Sequence, residues 1–221
     1  MKERPILFSG PMVRALHDGR KTQTRRIVKP SRTWPIGFIG GQGDQDDPSC
    51  YGFEDLNSGQ WWTLAPSHFS DAQQIPCPYG AVGERLWVRE SLAPTRDAQG
   101  YIADWHYAAD SAKVPRMPGL NPDFNDAMAF AHLARPSAVP SIHMPRRACR
   151  IVLQVTSARV ERLNDITDAD AIEEGIDRTN TSIPGYTRER FISLWTSING
   201  ADSWAANPWV WVVEFTPHAR M

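Results

Sequence analysis

The sequence predicts an α+β fold: a small β-barrel flanked by two or three short helices. Short strand-type runs with period-two alternation recur along the chain, broken by short helical stripes without any regular strand-helix-strand alternation, which disfavours a doubly wound sheet. Two long tracts rich in Gly, Pro, Asp and Ser interrupt this pattern and read as insertions into one core.

Residues 5–9 (PILFS) form the first short strand, and Gly10-Pro11 open a helix, where a proline in the first turn loses no needed N–H. Met12, Val13 and Leu16 give that helix its apolar face and Gly19 closes it. A strand over 21–28 (KTQTRRIV) follows and stops at Lys29-Pro30. The stretch 31–81 is too long for a structureless loop in a compact domain, so it is expected to carry structure of its own, including a hairpin through Gln60–Leu64. VGERLWVRE (82–90) is a turn and a strand with Leu86 and Val88 on one face, and a second insertion over about 92–141 holds a strand at 101–109. The longest strand signal is 148–162, where Ile151, Leu153 and Val155 alternate with Val152, Gln154 and Thr156 as in a half-buried strand. Thr167-Asp168-Ala169-Asp170 resembles a capping box before a short helix that ends at Gly175. Phe191, Leu194, Trp195 and Ile198 mark a second helix over 187–198, and PWVWVVEF supplies the last strand, 209–215.

The 221 residues fit one domain, with core segments of about 4–30, 82–91 and 142–217. Apolar residues make up 41% of the chain, enough for a real core. With a net charge of −1, any nucleic-acid contact must come from a local patch, either Arg20, Lys21, Arg25 and Arg26 or Arg146, Arg147 and Arg150. Solvated strand-edge charge is the commoner fate of such runs. Cys50, Cys77 and Cys149 are odd in number and show no C-x-x-C pair, so neither a zinc site nor a disulfide framework follows, and Cys149 reads as a small buried hydrophobe. His106 and His143 lack ligand spacing, and no metal or cofactor is expected. No window reaches membrane-spanning length and MKERPILFSG is too short for a signal segment, so a cytoplasmic protein is expected. Oligomeric state is not readable.

The motifs add a resemblance. Gly19-Arg20-Lys21-Thr22-Gln23-Thr24-Arg25-Arg26 resembles the G-x-K-x-x-T-x-R signature of ASCH domains, which belong to the PUA-like superfamily. Gly83–Glu90 resembles the family's G-D-x-L-x-V strand with Glu84 in place of Asp; LNDITDADAIEEGI (163–176) resembles its helix and NPWVWVVEF its final strand. Ile142–Ile151 and SINGADSWAANPWVWV are similar to stretches of the longer phage- and prophage-type members, with Arg147 where those carry Trp. The likeness covers about 120 core residues. It implies a PUA-like barrel and recognition of a modified nucleoside, RNA or DNA.

Small ASCH amidohydrolases remove the acyl group of N(4)-acetylcytidine with a Lys, a Thr and a Glu, and the matching positions are Lys21, Thr24 and Glu174. Amide hydrolysis needs a nucleophile, a base to activate it and an acid for the leaving amine. A lysine whose pKa falls through burial and the neighbouring Arg20, Arg25 and Arg26 suits the base, and a carboxylate at a helix C-terminus suits the acid. Regular strand alternation would point Lys21 away from Thr22, Thr24 and Arg26, so Lys21 must belong to the turn after Gly19. Arg20, Thr22, Arg26, Arg89, Glu90 and Arg146 are the substrate-binding candidates. Each has a plainer reading: Lys21 and Thr24 as a polar strand edge, Glu174 as an exposed helix-end acid, and Arg89 with Glu90 as a cross-strand ion pair. Trp34, Trp61, Trp62 and Trp105 either stack on bases or lie buried under the insertions, whereas Trp87, Trp195, Trp209 and Trp211 are core. The alternatives to an amidohydrolase are an RNA- or DNA-binding module, whether modified-base reader or ribonuclease, and a phage accessory protein that contacts a host protein.

Overall fold

Strand β1 (Glu3–Leu7) leads into helix α1 (Gly10–His17), and a turn at Gly19 leads on to β2 (Gln23–Ile27). These are the elements expected from PILFS, GPMVRALH and the GRKTQTRR segment. The computed structural model describes residues 2–29, 35–40, 46–66, 71–115, 138–178 and 183–218. Within them, the first insertion holds β3 (Gly37–Phe38), β4 (Tyr51–Asp55), β5 (Gln60–Thr63) and β6 (Gln73–Gln74), which pair into a separate four-stranded sheet. Trp34 lies outside the described residues. After β7 (Arg85–Arg89), the second insertion contributes the antiparallel pair β8 (Leu92–Arg96) and β9 (Ile102–Tyr107). Both insertions therefore carry sheet structure of their own.

The core returns with β10 (Val152–Arg162), helices α2 (Asp168–Glu173) and α3 (Tyr186–Asn199), and β11 (Trp209–Pro217). The principal sheet has the order β1-β7-β10-β11-β2, with β1 parallel to β7 and the other neighbours antiparallel. The fold is α+β. Among the described residues the sheet is not closed into a barrel: β1 and β2 are its two edges and no ladder joins them. A side chain bridges the gap instead. Arg26 Nη2 donates to the Leu7 carbonyl at 2.9 Å, and its guanidinium lies over the Phe8 ring.

Three apolar clusters hold these layers. Ile6, Val13, Leu16, Leu86, Val88, Leu153, Val213 and Phe215 pack between the principal sheet and α1. Leu92, Trp105, Tyr107, Cys149 and Val152 form the second cluster, beneath the second insertion. That cover explains a departure from the half-buried strand expected for β10: Val152 is buried as well as Leu153 and Val155, because the insertion covers the opposite face. The third cluster, including Leu163, Ile166, Ala171, Phe191, Trp195, Val210 and Val212, seats α2 and α3 against β11. Among the described residues no helix is long and apolar enough to cross a membrane.

Helix α2 has only six residues, too few to persist without capping and packing. Its capping box is complete: the Thr167 side chain accepts from the Asp170 N–H, and the Asp170 carboxylate accepts from the Thr167 N–H and hydroxyl. Thr167→Ala should therefore cost about 1 kcal/mol in urea unfolding. A loss below a few tenths would mean that packing alone holds α2.

Candidate functional site

Glu174 caps α2 at its C-terminal end, and the chain then turns through Gly175 at φ +98°. A Cβ on Gly175 would stand 2.9 Å from Ala15 Cβ and 3.2 Å from Lys21 Cβ. Glycine thus provides both the left-handed turn and the close approach that presses the end of α2 against the loop before β2. The Lys21 N–H donates to Ala15 O and the Thr22 N–H to Glu173 O. Lys21 accordingly sits in the turn after Gly19, before the strand begins, as the alternation required.

This packing buries the Lys21 side chain completely, at 0% exposure. Its ammonium donates to Glu174 Oε2 at 2.9 Å, Glu174 O at 2.7 Å and Gln23 O at 2.9 Å. All three N–H donors are used. Burial pushes the Lys21 pKa below its ordinary value; Glu174 opposes this, while the charges of Arg26 and Arg25 add to it. Arg20, the third cation expected to act, instead binds Asp18 and the Gly175 carbonyl.

Thr24 is fully buried and its Oγ1 makes no hydrogen bond. The structure thus brings Lys21 and Glu174 into direct contact, and it buries Thr24 in the strand that follows without a hydrogen bond to either. Glu174 is 5% exposed, so the reading of it as an exposed helix-end carboxylate does not hold.

Arg25 is the largest participant not among the residues singled out for the site. Its side chain is fully buried, with Nη2 3.2 Å from Glu161 and 3.4 Å from Asp170, and Nη1 3.6 Å from Glu174 Oε1. Gln23, two residues earlier on the same face of β2, donates to the carbonyl and the carboxylate of Asp170. Burial works against the Asp170 charge, yet hydrogen bonds from Thr167 and Gln23 and the Arg25 charge bring its pKa down to about 2. Four buried polar atoms in this cluster have no hydrogen-bond partner, Gln23 Oε1, Arg25 Nε, Arg25 Nη1 and Glu174 Oε1, and neither does Thr24 Oγ1 on the same strand. Strand alternation placed Arg25 with Gln23 and Ile27. The missing step was that this face meets the acidic TDAD helix start.

Next to the cluster lies a cavity of about 510 Å³, within the range of small-molecule sites. Arg25 and Glu174 line it, together with Ile6 and Leu7 of β1, Arg26 and Ile27 of β2, Tyr79, and the α3 stripe Phe191, Leu194, Trp195 and Ile198. It occupies the gap where the sheet fails to close. Trp195, read from the sequence as core, is buried but also forms part of this wall, and its Nε1 has no hydrogen-bond partner. Lys21 and Thr24 are not part of the lining.

The remaining candidates lie apart from the cavity lining. Thr22 is exposed and contributes main-chain bonds, its carbonyl accepting from the Phe215 N–H at 2.8 Å. Arg89 donates to the carbonyls of Ser141 and Ile142, and Arg146 pairs with Glu3 at 2.8 Å. Glu90 is buried against Arg150 in a bidentate pair at 2.8 Å, with Asp110 taking the third position. Through Asp110 that pair ties the second insertion to the end of β7. Trp105 is buried and Trp62 stacks on Phe53 within the first insertion's sheet, while Trp61 stays exposed. No group of three or more His, Cys, Asp or Glu side chains suited to a metal occurs among the described residues.

No family model matches the chain, and neither a curated protein nor a solved structure matches it.

Removing one partner of a buried pair strands the other's charge. Lys21→Met should cost about 3–5 kcal/mol in urea unfolding, and Lys21→Met with Glu174→Leu together should cost less than the single change. A single-variant loss under about 1 kcal/mol would mean that Arg25 alone satisfies Glu174.

Proposed function

We propose that this chain is a PUA-like ASCH protein that recognises a nucleoside and hydrolyses an amide on it, N(4)-acetylcytidine-like nucleosides being the substrate class. The observation that carries the reading is the 2.9 Å contact between the buried Lys21 ammonium and Glu174, a carboxylate that also lines the cavity. Residues far apart in the chain supply an amine and an acid at one point, and Thr24 supplies a hydroxyl free of any hydrogen bond. The open edge between β1 and β2 corresponds, on this reading, to the seam of the family's barrel, widened to admit a base.

The pair holds one transferable proton. Passing it from Lys21 to Glu174 gives a neutral amine and a carboxylic acid, a shift that the lowered Lys21 pKa favours. The amine turns to Thr24 and accepts its hydroxyl proton as Oγ1 attacks the acyl carbon. The acid then protonates the departing nitrogen, the C–N bond breaks, and the pair is again ammonium and carboxylate. Water hydrolyses the threonyl ester, releasing the carboxylic acid and restoring the Thr24 hydroxyl. Arg25, whose Nε and Nη1 make no hydrogen bond, offers donors for the oxyanion. Reaching Thr24 requires side chains of the wall to move. Arg26, half-buried and, among the described residues, hydrogen-bonded only to the carbonyls of Leu7 and Arg25, is a wall side chain without a carboxylate partner there.

Incubation with N(4)-acetylcytidine should release cytidine and acetate. Lys21→Ala and Thr24→Val should each lower kcat/KM by at least about a hundredfold. Because the working pair carries one proton, kcat/KM should be lost as pH rises through a limb lying below the ordinary lysine value of 10.5, where that proton leaves the pair. Full turnover by Lys21→Ala would remove the assignment. Nucleoside binding without turnover would leave a reader rather than a hydrolase.

A further inference from the structure

The cavity is unevenly charged. Its deep side is balanced, since Arg25 faces Glu174, Glu161 and Asp170. Its outer side is not. Arg26 and Lys29 both line the cavity, and neither makes an ion pair among the described residues. Arg26 is held by carbonyl oxygens, and Lys29 is exposed. Tyr79 lines the same cavity, close enough to Arg26 for that charge to act on its hydroxyl's pKa, although burial of the ring outweighs the effect and raises it. Glu174 is the one carboxylate among the lining residues. A protein with a net charge of −1 thus presents a cavity with two cations that have no carboxylate partner among the described residues at its outer end, and aromatic and aliphatic walls beyond them.

We infer that Arg26 and Lys29 form a phosphate-binding subsite, so that the ligand is a nucleoside phosphate, with its base among Phe191, Trp195 and Ile6 and its anionic group at the outer end. This rests on the nucleoside reading of the cavity and adds the anion to it. Guanidinium and ammonium groups without carboxylate partners recover charge-assisted hydrogen bonds when a phosphate arrives, a gain unavailable to a free nucleoside. Arg26 exchanges the Leu7 carbonyl for a stronger acceptor, the displacement that the proposed approach to Thr24 also needs. A free mononucleotide and a residue within an RNA strand share this chemistry.

The test uses binding, so it does not depend on turnover. Calorimetric titration of the full chain with cytidine and with cytidine 5′-monophosphate should show the monophosphate about tenfold tighter. The ratio should fall towards one in Arg26→Gln/Lys29→Gln, and it should shrink as salt rises. A single-stranded cytidine hexaribonucleotide forms the third arm. Affinity equal to the monophosphate's identifies a mononucleotide ligand, whereas a large gain with a steep salt slope identifies a strand. Equal affinity for cytidine and its monophosphate overturns the inference, as does a ratio undiminished in the double variant. If no base-containing ligand binds, inorganic phosphate is titrated alone: protection of the wild type against heat, lost in the double variant, keeps the anion subsite while the nucleoside reading falls. Absence of that protection removes both. A preserved ratio without hydrolysis of the acylated compound would reject the amidohydrolase alone.

Discussion

The contact between Lys21 and Glu174 fixes how the two halves of the site meet, because each residue is carried by a segment that could not otherwise hold its position. Helix α2 is only six residues long, and the turn at Gly19 has no regular structure to anchor it. The ammonium ties the Glu174 main chain and side chain to the Gln23 carbonyl, so one buried charge locks the helix end, the turn and the start of β2 together. Gly175 makes the contact possible, since any side chain there would press on Ala15 and Lys21. From this junction follow the buried position of Arg25, the low pKa of Asp170 and the deep wall of the cavity.

Stability alone is a poor explanation for such a junction. Removing both charges from water costs several kcal/mol, and an apolar pair of equal volume would hold the same segments at least as well. What an ion pair offers that a Leu–Met pair cannot is a proton that can move and a field directed at a neighbouring group. The lowered Lys21 pKa makes that proton easier to move. The proposed amide chemistry uses that property, which cohesion alone would not need.

Much of this was legible from the chain because the signals were local. Gly19 and Gly175 announced tight turns, Thr167 and Asp170 announced a cap, and the mismatch between Lys21 and the Thr24 face required a turn where one exists. The family resemblance put Lys21 together with Glu174 across 153 positions, which periodicity could not do. What escaped the sequence depended on which surfaces meet. Arg25 sat on a known strand face, but nothing local said that the face would be buried against Glu161 and Asp170. The α3 stripe was legible as a helix and Trp195 as core, but Ile198, at 57% exposure, shows that the stripe runs out of the core along the cavity. The barrel was expected closed, yet edge closure depends on the relative reach of β1 and β2, and here an arginine spans the gap.

Comparison with the other buried ion pair separates structural from functional polarity within this one molecule. Glu90 is 1% exposed, as deeply buried as Lys21, and Arg150 grips both its oxygens at 2.8 Å while a further nitrogen reaches Asp110 at 2.7 Å. The Arg150 guanidinium also lies 3.8 Å from the Tyr107 ring centroid, and no Glu90 or Arg150 atom is left buried without a partner. That network is saturated and joins the second insertion to the sheet. Around Lys21 the ammonium is saturated but its surroundings are not: Gln23 Oε1, Thr24 Oγ1 and Arg25 Nε make no hydrogen bond, at about 1–3 kcal/mol each, and Arg25 Nη1 meets Glu174 Oε1 only at ion-pair distance, 3.6 Å. Buried polar atoms without a hydrogen bond next to a cavity set the β2–α2 junction apart from the saturated Glu90–Arg150 pair, and the proposed nucleoside site rests on that difference.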